Sequence, residues 1–168
     1  YEMSASLVGS EMCIRDRDNI DETIAKLKAF SKATGSIIAV TGAIDLVCDS
    51  DKCYVIRNGR PEMSAITGTG CQLSGMMTAF VVANKNNKLE AAAAAVCAMG
   101  LAGEIGYGRM AEGDGNSTYR NRIIDAIYNM DGEVLEKGAK YEIRSYNTGR
   151  IIALCRNRQS MVKWRNTL

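Results

Sequence analysis

Histidine is missing altogether from the 168 residues. Its absence excludes Ser–His and Cys–His nucleophile pairs and histidine-built metal sites. Any general base must then be Asp, Glu, Cys or a rarer group. Net charge is nearly lacking as well, since 21 Lys and Arg against 19 Asp and Glu leave a formal +2. That is too little to argue for a nucleic-acid partner. No secretory leader is recognisable, so the six cysteines are expected in reducing cytosol rather than in a disulfide framework. The longest uncharged apolar run, 91–103, is shorter than the roughly 20 residues a bilayer requires, and no transmembrane segment or membrane partner is expected.

What is present is an ordinary globular composition, 46% hydrophobic and 24% charged, enough to bury a core in one domain or part of one. Charge is unevenly placed. The stretch 144–168 carries six basic residues and no acidic one, whereas the remainder carries 15 basic against 19 acidic. This tail has one Trp and no recognisable nucleic-acid module. The opening 17 residues lack periodicity, and "EMCIRDR" within them reads like a translated sequencing adapter. Residues 1–17 are therefore set aside as a non-native scar, 18–143 as the folded portion, and 144–168 as a basic tail, itself a candidate scar.

From Asp18 the pattern is regular. Ile20, Ile24, Leu27 and Phe30 recur at helical spacing up to Gly35. "SIIAVTG" follows as a short apolar strand of the kind buried on both faces of a parallel sheet. "DLVCDSDKCYVIRNG" reads as two strands around a polar turn, closed by the turn dipeptide Asn58-Gly59. On those strands Cys48 and Cys53 become neighbours, a better account than a lone metal-binding pair. Asp45, Asp49 and Asp51 read as solvated turn carboxylates. A helix carries Leu73, Met76, Met77, Phe80 and Val81 on its apolar stripe, and a second, rich in Ala and Gly, suits close packing. "EGDGNS" then breaks the pattern, with Asn116 or Ser117 expected to cap a third helix that buries Ile123, Ile124, Ile127 and Tyr128. A nucleotide-contacting role for the Gly113–Gly115 turn stays open beside its simple turn reading. "GAKYEI" ends the regular portion. Strands mixed with a helical layer make the fold class α/β.

The chemistry concentrates in "SAITGTGCQLSG", Ser64 to Gly75. A helix start exposes unpaired N–H groups and a partial positive charge, and glycines there let an anion approach the backbone. Gly68, Thr69, Gly70 and Cys71 thus form either an anion hole suited to phosphate or only a tight strand-to-helix turn. The loop is neither a P-loop nor a dinucleotide fingerprint. With no histidine available, Cys71 is the best-placed base or nucleophile, because a helix N-terminus favours thiolate. Its plainer reading is a small buried residue, as for Cys97.

"IIAVTGAIDLVCD", "NGRPEMSAITGTGCQLSGMMTAFV" and "AGEIGYGRMAEGDGN" resemble the C-terminal half of hydroxyethylthiazole kinases, in the ribokinase-like superfamily. The resemblance implies half of a three-layer α/β/α domain. It implies ATP-dependent, Mg²⁺-assisted phosphorylation of the hydroxyl of 4-methyl-5-(2-hydroxyethyl)thiazole in thiamine salvage, in a cytoplasmic homotrimer. By the same carry-over Cys71 takes the alcohol proton, the amides of Gly68 to Cys71 hold the transferring phosphoryl charge, Gly68 also touches the thiazole, and Thr41 binds ATP. Magnesium ligands belong to the family's N-terminal half, which nothing before Asp18 resembles, so no metal ligand is assigned. The chain alone is not expected to turn over. The alternative is a non-catalytic anion-binding, nucleotide-binding or assembly fragment of a ribokinase-like protein. A cysteine-dependent acyl transferase is a weaker rival, since it lacks a histidine partner.

Overall fold

The structure, a computed structural model, describes residues 20–145. A helix α1 (Ile20–Thr34) leads into strands β1 (Ile38–Val40), β2 (Asp45–Cys48) and β3 (Lys52–Ile56). A 3-10 turn at Pro61–Ala65 precedes α2 (Thr69–Ala83), α3 (Lys88–Gly108), α4 (Asn116–Tyr128) and α5 (Gly132–Gly138), and β4 (Tyr141–Ser145) closes the order.

Period-two alternation sorts the sheet into two faces. Val47, Tyr54 and Ile56 pack with α3 and the helical layer, whereas Leu46, Cys48, Cys53 and Val55 pack under α1 with Ile20, Ile24 and Leu27. Side chains one residue apart on β2 therefore belong to opposite cores. The result is three layers, helix, sheet, helices, and this α/β arrangement agrees with the sequence reading.

The sheet order is β1-β2-β3-β4, antiparallel throughout. The parallel, doubly buried setting expected for β1 does not hold: β1 runs antiparallel to β2, and its residues are half-buried or exposed. The cause is the connection. Only residues 41–44 separate β1 from β2, and so short a link returns the chain antiparallel, since a parallel crossover needs a dozen residues or more.

Two helical faces also differ from their sequence reading. In α1 the buried positions are Ile20, Thr23, Ile24, Leu27, Lys28 and Ser31. Phe30 lies about 90° round the helix from the centre of that stripe and is 44% exposed. In α4 the buried positions are Tyr119, Ile123 and Ala126, which leaves Ile124 exposed and Tyr128, on the far side, 87% exposed. Ile124 sits one position past the buried Ile123, whereas Phe30 stands three past Leu27, off a stripe that α1 completes with the polar Thr23, Lys28 and Ser31. Neither Asn116 nor Ser117 caps α4. Gly115 is the N-cap, and the Asn116 amide is used elsewhere, as described below. The short helix α5, capped by Asp131 Oδ1 accepting from the Val134 N–H at 2.9 Å, had no counterpart in the sequence reading.

α3 is long and apolar enough by length and composition to cross a membrane, but 78% of its apolar window is buried within the fold. It packs against α2, α4, α5, β2 and β3, which is what its alanines and glycines permit. Cys48 and Cys53 are register partners and are joined as a disulfide. The free thiols expected for this pair are therefore not what the structure contains, because the hairpin's register brings the two β-carbons face to face. Arg144, counted in the basic tail, belongs to β4 and pairs with Asp21 of α1 at 2.8 Å and with Glu142 at 3.0 Å. Its guanidinium is balanced within the fold. The rest of the tail, and residues 1–17, lie outside the described residues.

Candidate functional site: an open helix start beyond the sheet

Because β1 and β3 are both antiparallel to β2, their carboxyl ends share one edge of the molecule. Thr41 follows β1 there, and the segment leading to Gly68 leaves β3 there. Open α/β sheets place ligands at the carboxyl ends of strands.

The segment after β3 is anchored by a polar knot. Asn58 is buried. Its Nδ2 donates to Glu104 Oε1 at 3.2 Å and to the Gly138 carbonyl at 2.9 Å, while its Oδ1 accepts from the Lys140 N–H at 2.7 Å. Glu104 also accepts from the Gly59 N–H at 2.9 Å and from Lys140 Nζ at 2.6 Å. Burial pushes the Glu104 carboxyl up, but Lys140, Gly59 and Asn58 together outweigh it and hold the group below the usual carboxylate range. The backbone here lies directly on α3. A Cβ on Gly100 would stand 2.7 Å from the Asn58 carbonyl carbon, so only glycine permits the approach. Further on, Arg60 pairs with Glu62 at 3.0 Å and lies 4.0 Å over the Tyr107 ring. Tyr107 meets Tyr119 edge-on, and the Tyr119 hydroxyl donates to the Gly103 carbonyl at 2.9 Å. Asn116 of α4 donates to the Ala65 carbonyl at 3.2 Å. Three helices thereby fix the approach to α2.

Gly68 is the N-cap of α2 at φ +94°, a left-handed conformation that favours glycine. The first helical bond runs from the Gln72 N–H to the Gly68 carbonyl. Among the described residues no acceptor takes the N–H of Thr69, Gly70 or Cys71, and no side chain caps the helix. The Thr69 hydroxyl donates to the Ile66 carbonyl at 3.3 Å, tying the loop to itself. Gly70 is the informative position. Its φ is not positive, and a Cβ there would meet nothing within 4 Å. Neither backbone conformation nor internal packing requires glycine at 70, so the bare backbone faces outward. This weakens the simple-turn reading, which explains Gly68 but not Gly70. Cys71, on the third helical residue, carries an exposed free thiol. Cys97, by contrast, is buried, and burial first, then the charge of Asp45, pushes its thiol up to about 12.

Thr41 is exposed at the end of β1. No hydrogen bond joins it to the Gly68–Cys71 stretch among the described residues. The turn that carries it is held by Asp45, whose Oδ1 accepts from the Gly42 N–H at 2.9 Å. Asp45 is not the solvated carboxylate its turn position suggested. Burial raises its carboxyl to about 6, against a smaller lowering from Gly42. Asp49 fits the turn reading, with Oδ1 accepting from the Asp51 and Lys52 amides. The Gly113–Gly115 turn is likewise closed locally, by Asp114 accepting from the Ala111 N–H and from Arg122. Asn58, Glu104, Lys140 and Asn116 were not legible as site supports, for their partners stand 36 to 82 positions away.

The model of the hydroxyethylthiazole kinase family matches residues 3–133, a range that takes in most of the opening segment set aside above. Hydroxyethylthiazole kinase of Clostridium acetobutylicum is 54% identical over 125 residues, which are 74% of this chain and 46% of that protein. Hydroxyethylthiazole kinase 2 of Clostridium botulinum (strain 657 / Type Ba4) is 36% identical over 149 residues, 87% of this chain and 53% of the relative. The solved structure of hydroxyethylthiazole kinase from Pyrococcus horikoshii OT3 superposes with a TM-score of 0.65 at 25% identity, covering 74% of this chain and 47% of that one. The chain thus spans about half the length of the relatives it matches.

Proposed function

The chain belongs to the hydroxyethylthiazole kinase family, and from that premise we propose that it forms the phosphate-binding half of an enzyme transferring the γ-phosphoryl group of ATP to the primary alcohol of 4-methyl-5-(2-hydroxyethyl)thiazole, in thiamine salvage. The observation that carries this reading is the open start of α2: three unclaimed amides, a glycine at 70 that the fold itself does not need, and an exposed thiol in the same turn.

Phosphoryl transfer asks a protein mostly for positioning and charge stabilisation. The N–H groups of Thr69, Gly70 and Cys71, with the partial positive charge of the helix start, offer acceptors to an anion without any side-chain charge. Cys71 Sγ takes the proton from the substrate hydroxyl as its oxygen attacks. The left-handed Gly68 keeps the entrance low enough for the thiazole to pass over it. Thr41 contributes a hydroxyl for the nucleotide from the neighbouring strand end. The unpartnered amides fit a phosphate group. Magnesium neutralises phosphate charge when bound, and its ligands are assigned to the part of the relatives this chain does not span. The homotrimer and the cytoplasmic location are read from family resemblance alone, and neither a nucleic-acid nor a membrane partner is proposed. The chain by itself holds one end of the site and is not expected to turn over.

The test joins this chain to the missing half of a relative and follows transfer of labelled phosphate from ATP to the thiazole alcohol. Transfer is expected, with Cys71→Ala lowering kcat by about 10²–10⁴-fold at nearly constant ATP affinity. Cys71→Asp should retain activity, since a carboxylate can take the same proton. Full activity in Cys71→Ala would remove the base assignment. ATP binding with no transfer to any thiazole alcohol would leave the alternative, a non-catalytic nucleotide-binding fragment.

A further inference from the structure

The helical layer contains a cavity away from the start of α2. It lies between the C-terminal half of α2, the first half of α3 and the junction of α4 with α5, and holds about 60 Å³. Its walls include Met76 and Phe80 of α2 and Ala94 and Ala98 of α3. Met76 and Phe80 are five and nine residues beyond Cys71, hence roughly 7 and 13 Å along the helix axis. Eight of the eleven lining residues are apolar.

The hole has a sequence cause. Alanines 91, 94 and 98 recur along one face of α3 opposite the longer side chains of α2, and their short side chains leave the gap unfilled. Each polar side chain at the rim already makes a hydrogen bond within the fold. Asn84 Nδ2 donates to the Phe80 carbonyl at 2.9 Å, and Asp131 Oδ1 accepts from the Val134 N–H at 2.9 Å. Water inside would find few partners, and an apolar cavity poorly served by hydrogen bonds favours an apolar guest. At roughly 10–15 Å³ per water-sized sphere, the space accepts about four to six heavy atoms.

We propose that this cavity is a binding site for small neutral apolar molecules, the size of a short branched alkyl chain, separate from the phosphate site. Ala94, half-buried, marks the mouth, and Met76, Met130 and Leu135 enclose the guest. Anionic molecules of the same size are disfavoured, because among the described residues the rim offers the Asp131 carboxylate and no cation.

The proposal is tested on the whole chain carrying ¹³C-methyl methionine, titrated with 2-methylbutane and, separately, with isobutyrate. The alkane should shift the Met76 and Met130 methyl signals along one saturating curve. Isobutyrate should do so at least ten-fold more weakly. Ala94→Leu, which fills the mouth, should weaken alkane binding ten-fold or more with unchanged circular dichroism. Should that variant fail to fold, Ala94→Val, two heavy atoms larger than the original, should give a smaller weakening in the same direction. The proposal is overturned by absence of saturation at Met76 and Met130, by equal affinity for isobutyrate, or by a folded Ala94 variant that binds as the parent does. None of these outcomes depends on the kinase reading.

Discussion

At the scale of single residues, Gly70 separates what the fold needs from what a ligand needs. Glycine inside a helix costs about 0.5–1 kcal/mol relative to alanine, and no neighbour or positive φ at 70 recovers that cost. Gly70→Ala is therefore expected to raise the urea midpoint slightly while weakening ATP binding at least ten-fold, measured by calorimetry on the completed enzyme. Unchanged affinity would remove Gly70 from the anion site. Asp45 gives a residue-scale prediction of opposite character. Its carboxyl is raised from 3.8 to about 6 in the fold by burial, so the folded state binds the proton more tightly than the unfolded one. Its contribution to stability is present below about pH 4 and is lost as pH rises through 6, by a few kcal/mol. Asp45→Asn keeps an acceptor for the Gly42 N–H without a charge to bury. The variant should gain stability at pH 7.5 and show a flatter dependence between pH 4 and 6 in denaturant titrations. A wild-type curve that is already flat there would refute the shift.

At the scale of elements, α3 is the beam on which the site rests, and its glycines are not equivalent. A Cβ at Gly100 meets backbone and Cβ of Asn58 at 2.7 Å, whereas one at Gly103 meets the side chain of Met63. Backbone cannot move aside and a methionine end can. Gly100→Ala should thus cost about 1–3 kcal/mol or more and loosen the Asn58–Glu104 knot, with Gly103→Ala milder; urea midpoints of the two variants decide the order. The knot itself carries a charge. Glu104→Gln places an amide N–H₂ among the donors of Asn58, Gly59 and Lys140, and a loss of about 1–3 kcal/mol is expected. The apolar stripe of α2 was readable from its 3.6-residue period. Which positions turn inward in α1 and α4 was not, because α1 buries the polar Thr23, Lys28 and Ser31 while leaving Phe30 exposed, and Ile124 is as apolar as the buried Ile123 beside it.

At the scale of the molecule, burial partitions thiol chemistry. Cys71 stands exposed at a helix start, while Cys97 lies in the main core with its thiol pushed up to about 12. Alkylation followed by peptide mapping should label Cys71 at least a hundred-fold faster than Cys97, whose modification should track global unfolding in denaturant. Comparable rates would mean that α3 is not the closed centre of the fold. The three layers also explain why two cores coexist around one short sheet: adjacent residues of β2, Leu46 and Val47, are each fully buried on opposite sides.

The sequence by itself determined the local chemistry of this protein. Absence of histidine, the Gly-Thr-Gly-Cys order, the apolar periods and the Asn-Gly turn are properties of neighbouring residues, and physics acts on them within a turn or two of chain. Tertiary structure alone decided the rest. The burial of Asp45 came from α3, which brings Cys97 near it, and the Asn58–Glu104–Lys140 knot from contacts that span up to 82 positions. Such contacts leave no periodic trace, because each depends on where two distant backbones come to rest, and only the packed chain fixes that.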